Sequence, residues 1–534
     1  MRRLLFPLML AFLIKPASAE ESSNASTTFP IAEEYRAAGV SIASLEAFIA
    51  KYPDQPGWCG EAQIAIARIE LQQGEDDKSL MSLQRAIEKY GENESPIRSI
   101  KISVSDIACA DMFRLLSKMG RKMEAQRILS KIKDEDLRKS LTPRLVVDWD
   151  NCIRARVTAI AFAPDASVLA AAIWPDGRIA LWDLRTATLL GELQGHTRAV
   201  FSLSFSPDGS HLASAGGDEQ VRVWSVQART LVRAFDAVPT FNGWVNQVGY
   251  SPDGQRLVAG SRYNLDGRWR SETMAWNVGK GARQNTLPGH RFPVFVSDHA
   301  LLTAATVSAE DRMRHRLPRY RVQISEIDGG PKAPLVLFEA HQPFGALAAS
   351  PTGTTFAVAS YGEIRLSCAQ REDRARTVAG NFGNIRRLVF SHDGASLLAV
   401  NNQSATWLVD TQSGNVQEVA GYHSGAAFSG NGAVLALGGE AVDIRDPTGQ
   451  NTHLFLHLIL NSGKNRWEWV AYTPEGVFRM SPAAGPFIQW RTGSTIQPFD
   501  AYAKSYERPE EVIAKLRRAL AEPREPEPNK INQK

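Results

Sequence analysis

The sequence predicts a ring of small antiparallel β-sheets, repeated radially and preceded by a shorter α-helical segment. Three observations predict it. A four-residue phrase recurs as Ser206-Pro207-Asp208-Gly209, Ser251-Pro252-Asp253-Gly254, Ser350-Pro351-Thr352-Gly353, Ser391-His392-Asp393-Gly394 and Ser429-Gly430-Asn431-Gly432. Outlying copies stand at Ala163-Pro164-Asp165-Ala166 and Thr473-Pro474-Glu475-Gly476, with an eroded one at Ser297-Asp298-His299-Ala300, so successive starts lie 43, 45, 46, 53, 41, 38 and 44 residues apart. Pro pre-sets φ at a turn's first central position, Asp or Asn closes the turn with its side chain, and Gly takes positive φ. Second, each phrase is flanked by short apolar runs: Val200 to Phe205 before it, then His211 to Ser214, Val221 to Trp224 and Leu231 to Phe235, four strands per unit. Third, before about residue 143 the apolar period is helical, as in Leu80, Leu83, Ala86, Ile87 and Tyr90.

The repeated unit resembles the WD repeat. Trp182-Asp183 ends the third strand of the first unit, and Gly195-His196 precedes the second. In the second unit His196, Ser214, Asp218 and Trp224 occupy the positions of the hydrogen-bonded tetrad that ties such a blade together. Trp276 keeps the tryptophan position; Ser325, Ser367, Val409 and Arg445 replace it elsewhere. The resemblance covers roughly residues 150 to 500 and implies an all-β propeller of seven or eight blades, eight favoured, with a smaller N-terminal α-helical domain. It implies no activity, because one fold hosts many functions.

Residues 1–19 read as a secretory signal peptide cleaved after Ala19: Arg2-Arg3, an apolar core from Leu4 to Ile14, then Ala17-Ser18-Ala19. Their removal, with Arg2, Arg3 and Lys15, takes the formal charge from +4 to +1, so any charge argument must be local. Residues 20–30 read as a disordered leader. Residues 31–143 form the helical domain, in which Ala67, Gly74, Ser79, Leu83 and Ala86 resemble a tetratricopeptide repeat. Phe113, Gly120, Ala125, Leu129 and Ile132 resemble a second. Such hairpins imply either a concave peptide-binding face or a structural cap. Export permits disulfides, so Cys59 and Cys109 either pair or serve as buried apolar residues.

The propeller is expected over 144–500. Leu145-Val146-Val147-Asp148-Trp149 is an isolated strand ahead of the first unit, and joining it to the last unit would close the ring as an eighth blade and hide both edges. The stretch Trp467 to Phe478, Phe487 to Arg491 and Tyr506 to Pro509 is similar to the ending of bacterial WD-repeat proteins, including some fused to caspase-like peptidases. No peptidase pattern accompanies it here. Residues 501–534 are expected to hold a short helix and a disordered tail.

The chain carries no phosphate-cradling glycine loop and no nucleophile elbow. His453 and His457 share a strand face without a third metal ligand, and no metal or other cofactor is expected. The local anomaly is a pair of long insertions between strands two and three of units three and four. They hold Arg262, Tyr263, Arg268, Trp269 and Arg270, then Arg312, Arg314, His315, Arg316, Arg319, Tyr320 and Arg321. Arginine interleaved with aromatics is the composition of binding hot spots and anion sites, and adjacent loops would place it on one rim. The expected function is a non-catalytic, exported interaction scaffold of the bacterial envelope, probed through periplasmic partners that are envelope proteins, an acidic surface or an anionic envelope polymer. Nucleic acid and a transmembrane segment are not expected. The alternative is an exported propeller enzyme, hydrolase or oxidoreductase, with its site at the central channel.

Overall fold

The computed structural model describes residues 41–521 apart from 96–101, 120, 142–143, 148–152, 239–242, 309–311, 314–317, 328–332, 361, 369–370, 462–465 and 493–494. The expected signal peptide and leader, the C-terminal tail, Cys152 and the loop residues Arg314, His315 and Arg316 therefore lie outside the described residues. Among those described, the chain divides into two units. One combines the residues up to Val147 with Ile488–Glu507; the other runs from Asp148 to Phe487 and resumes at Arg508.

The first unit starts with helices α1 (Ile42–Lys51), α2 (Pro56–Gln72), α3 (Asp76–Tyr90), α4 (Val104–Lys118), α5 (Lys122–Leu129) and α6 (Glu135–Leu141). Their ends follow local chemistry. Ser41 caps α1 through the backbone N–H of Ser44, Pro56 opens α2 where no amide donor is needed, and Ser103 caps α4 through Asp106 N–H. Gly74, at φ +79°, turns the chain from α2 into α3. Successive helices pack on one another around Ile64, Leu83, Phe113 and Leu116. Within this core Arg68 meets Asp111 at 2.7 Å, and Arg114 reaches the other carboxylate oxygen at 2.9 Å. Burial opposes ionisation of Asp111, but the two guanidiniums outweigh it and hold the carboxyl below its usual range.

The two cysteines do not form the disulfide that export would have permitted. Cys59 and Cys109 are free, buried thiols, the first at the start of α2 with its Sγ donating to Tyr52 O at 3.2 Å, the second inside α4. Burial pushes both thiols up.

The strand expected to join the C-terminal stretch does pair with it, but in a sheet of three strands. Arg144–Val147 pairs antiparallel with Ile488–Thr492, which pairs in turn with Thr495–Pro498. This three-stranded sheet belongs to the first unit, where helix α7 (Ala503–Tyr506) follows it. Trp490 is fully buried there, donating from Nε1 to Phe499 O at 2.8 Å and packing against Tyr502 and Tyr506. The sheet domain expected over 144–500 is correspondingly shorter.

The second unit contains seven sheets in sequence. Six are four-stranded, each running outward from a first strand: Arg156–Phe162, Val200–Phe205, Gly243–Tyr250, His290–Phe295, Ala346–Ala349 and Ile385–Phe390. The seventh starts at Gly425–Phe428. Each first strand packs against the next, and Gly425–Phe428 packs against Arg156–Phe162, so the circle closes after seven sheets. At that seam a side chain on Gly425 would press on the Ala159 backbone, which explains the glycine.

The recurring phrase makes the turn between first and second strands. In the second sheet Ser206 Oγ donates to Asp208 Oδ1 at 2.6 Å and accepts from His211 N–H at 2.9 Å, while Gly209 adopts φ +72°. Ser251, Ser391 and Ser429 repeat this with Asp253, Asp393 and Asn431. The Thr473 copy also forms its turn, but its strands Arg466–Tyr472 and Phe478–Met480 widen the seventh sheet rather than begin another. Closure is completed by Ile153–Arg154, which pairs with Leu460 and Ile459 of the strand Thr452–Asn461 in that same sheet. Helix α8 (Pro509–Ala521) covers the seventh sheet through Val512, Leu516 and Ala519. Full burial of a leucine such as Leu516 stabilises by about 2 kcal/mol, and Lys515 fastens the exposed side to Glu475 at 2.7 Å.

Candidate binding site at the channel mouth

First strands of a closed ring must surround a channel, and here it has two compartments. One, of about 600 Å³, is walled by the ends of the first strands and the serine-proline turns. The other, about 1080 Å³, lies at the starts of those strands. Gln247, Val248, Leu347, Arg387, Leu388 and Val389 wall both.

The larger compartment is cationic. Arg156, Arg262, Arg291, Arg386 and Arg387 line it, and no Asp or Glu is among its lining residues. None of the five pairs with a carboxylate among the described residues. Two of them donate to backbone carbonyls: Arg386 Nη2 to Ser424 O at 2.9 Å and Arg387 Nη2 to Phe201 O at 2.8 Å. Arg387 is enclosed by protein while still reached by water; burial, then the charge of Arg386, lowers it to about 10. Burial also lowers Arg291 and Arg386, with Arg262 and Arg156 respectively adding repulsion. Even so, Arg387 stays protonated at neutral pH. An assembly of uncompensated guanidiniums in a partly desolvated cup is chemically an anion receptor. Aromatic surface accompanies it: Trp174 and Phe201 line the cup and are exposed.

The long insertion of the third sheet is not a loop. It lengthens a hairpin, Arg256–Leu265 against Arg268–Asn277, around Asp266 and Gly267. Strand alternation then splits its residues between two faces. Trp244 stands opposite Arg262 in the register, and Trp269 opposite Asn264. On that face the Arg262 guanidinium lies 5.0 Å from the Trp269 ring and 5.9 Å from Trp244, the two indoles 5.1 Å apart. Such a cation–π cluster holds the Arg262 head in place. Arg268 and Arg270 fall on the other face with Tyr263, whose hydroxyl donates to Glu272 at 2.5 Å. In the fourth sheet Tyr320 lines the mouth, with the Arg319 guanidinium 5.4 Å from its ring, whereas Arg321, the next residue of the strand, falls on the opposite face. Arg312 donates its backbone N–H to Ser308 O. Of the expected rim patch, the structure therefore brings Arg262 and Tyr320 to the mouth, with Trp269 stacked behind Arg262.

Arg156, Arg291, Arg386 and Arg387 were missed. They stand on first strands, seven, six, five and four residues before their turn phrases, where the second unit holds Ala199, Val200, Phe201 and Ser202. Comparing units position by position, rather than searching for clusters along the chain, would have singled them out.

The tetrad residues form a continuous chain in the second sheet. Trp224 Nε1–H donates to Ser214 Oγ at 2.7 Å, Ser214 Oγ meets His196 Nε2 at 2.7 Å, and His196 Nδ1 meets Asp218 Oδ1 at 2.8 Å. Arg222 donates to the other Asp218 oxygen. Burial chiefly lowers His196, keeping it neutral; burial opposes ionisation of Asp218, but His196 and Arg222 override it and hold its carboxyl far down. A neutral histidine locked between serine and carboxylate also describes catalytic triads. Here Ser214 is fully buried and its hydroxyl is occupied by the indole N–H, so the chain serves packing. His457 is likewise internal: Tyr472 stacks on it with ring centres 5.5 Å apart, and its Oη lies 3.1 Å from Nε2. Among the described residues no group of three or more His, Cys, Asp or Glu is placed to hold a metal.

The family described as WD domain, G-beta repeat matches residues 187–225, which include the whole tetrad, and 235–270. Among curated proteins the chain is similar to "Protein groucho" of Drosophila melanogaster, 34% identical over 121 residues, and to "Periodic tryptophan protein 2 homolog" of Schizosaccharomyces pombe, 30% identical over 138. These stretches cover 23% and 26% of this chain but only 16% and 15% of the relatives' own lengths. Among solved structures, the β-propeller domain of Myceliophteria thermophila Cps50 (Swd1) overlays with TM-score 0.43 at 18% identity, covering 55% of this chain and 99% of that one.

Proposed function

We propose that this protein is a non-catalytic interaction scaffold whose ring, counted as a seven-bladed WD-repeat propeller, presents its arginine-lined mouth to an anionic partner. The observation that carries the reading is the imbalance of the lining: five arginines and no carboxylate in a cup of about 1080 Å³. Uncompensated charge held together by a fold destabilises that fold unless a ligand neutralises it, and the WD40 repeats support a platform role. The helical unit, tetratricopeptide-like in sequence, supplies a second surface. The signal-peptide pattern read over residues 1–19 supports export, and with it a partner in the bacterial envelope.

Site-specific photo-cross-linking in cells tests this. A benzophenone side chain placed at Phe201, exposed in the mouth, should capture a partner in an adduct that high salt abolishes before irradiation. The same probe at Val232, exposed on an outer strand, should not. Equal capture at both positions, or capture insensitive to salt, would remove the mouth from the proposal.

A further inference from the structure

We propose that the mouth receives an extended acidic peptide, which lowers one carboxylate onto Arg387 and sets flanking acids against two arginine pairs on the rim; this rests on the mouth being the binding site. Arg387 belongs to the first strand of the sixth sheet, yet its guanidinium donates to Phe201 O of the second sheet. Two sheets, the seventh and the first, stand between these in the ring. The side chain therefore reaches across the channel, and it lines both compartments. The cup thus has a cationic floor. Among the described residues Phe201 O is the sole hydrogen-bond acceptor of that guanidinium, which leaves most of its five donors available for a carboxylate.

Around this floor the other arginines fall into two pairs. Arg156 and Arg386 come from the first and sixth sheets, Arg262 and Arg291 from the third and fourth. The second sheet, with Phe201, and the fifth, with Phe344, separate the pairs. A ligand touching both pairs must pass over Arg387 and over apolar surface. A lone small anion leaves such a volume mostly filled with water, since cavities of roughly 300–1,000 Å³ enclose whole drug-sized molecules. A nucleic-acid strand is favoured by cations that track successive phosphates along a groove; these cations are gathered in two places around a closed, recessed ring. Separated carboxylates on a flexible chain match that arrangement, and each can take a bidentate fork.

The test uses the full-length protein and three fluorescein-labelled probes read by anisotropy: a glutamate decamer, a glutamine decamer and a ten-nucleotide oligothymidylate. The glutamate decamer should bind and the glutamine decamer should not. R387Q should weaken glutamate binding about tenfold or more, the scale of a lost charge-assisted contact, and R387K should recover part of it. The pairs R156Q/R386Q and R262Q/R291Q should each reduce affinity and its salt dependence. R268S/R270S, on the far face of the hairpin, should bind as the parent does. Melting curves of every variant establish that folding is retained, and the lysine variant guards against loss of fold in R387Q. Unchanged binding by R387Q, with loss in the paired variants, overturns the inserted carboxylate and leaves the mouth as the site. No binding of either anionic probe, or equal binding when all five arginines are replaced, overturns both readings. Tighter binding of the oligothymidylate than of the glutamate decamer replaces the peptide with nucleic acid.

Discussion

Replacing Ser214 with Ala removes one oxygen from the middle of the tetrad, and the structure says what that oxygen does. It lies on a fully buried residue, 2.7 Å from the Trp224 Nε1 donor and 2.7 Å from His196 Nε2. Its loss leaves two buried nitrogens without partners. Each such orphan costs roughly 1–3 kcal/mol, far more than the net value of the hydrogen bond itself, so S214A should destabilise the second sheet by about 3 kcal/mol. The two units need not unfold together, and a local readout is preferable. Amide hydrogen exchange of the strands His211–Gly216 and Gln220–Ser225 reports this sheet alone. W224F removes the indole donor, so the double variant should lose less than the sum of the two singles. A loss in S214A below about 0.5 kcal/mol, the range of ordinary surface changes, would refute the reasoning, as would strict additivity in the pair.

Acid should weaken the ring before its carboxylates titrate. His290, His423 and His457 are each pushed down to about 4, chiefly by burial. An unfolded histidine binds its proton near pH 6.5, so between about 6.5 and 4 the unfolded chain takes up protons that the folded one refuses. Stability is fully present above that window and falls through it, by up to on the order of 3 kcal/mol per residue. Urea midpoints from pH 7 to 4.5 should decline, less steeply in H457F; a flat profile contradicts the assignment. The two thiols give a simpler outcome. Cys59 and Cys109 should resist a disulfide-exchange reagent in the native protein and both react in denaturant without reductant; a linked Cys59–Cys109 peptide in the digest would contradict the structure.

The repeating sheets were legible because each turn is a local event. Asp208 and Gly209 make their turn with residues no more than a few positions away, so the phrase reads directly as structure. The phrase does not by itself count sheets: at Thr473-Pro474-Glu475-Gly476 the same local turn forms but its strands join an existing sheet. Which sheet a strand joins is decided by long-range pairing, and the turn carries no information about it. The rim arginines show both limits. Arg262 was legible as one member of a conspicuous run, yet period-two alternation sends Arg268 and Arg270 to the opposite face. Arg156, Arg291 and the Arg386-Arg387 dyad lie far apart in sequence, and only the closed circle makes them neighbours.

That closure has a kinetic consequence. Nearly every contact within and between the first six sheets joins segments close in sequence, so these sheets can form as the chain lengthens, each on its predecessor. The pairing of Ile153 and Arg154 with Leu460 and Ile459 is different in kind. Drawing its ends together costs loop entropy on the order of 5 kcal/mol from a disordered chain, but little once the intervening sheets have already curved the chain round. Closure therefore belongs at the end of folding, as a latch on a nearly finished circle. Until it engages, the first and seventh sheets keep facing flanks open at the seam, and it is there that a second chain of the same sequence would intrude.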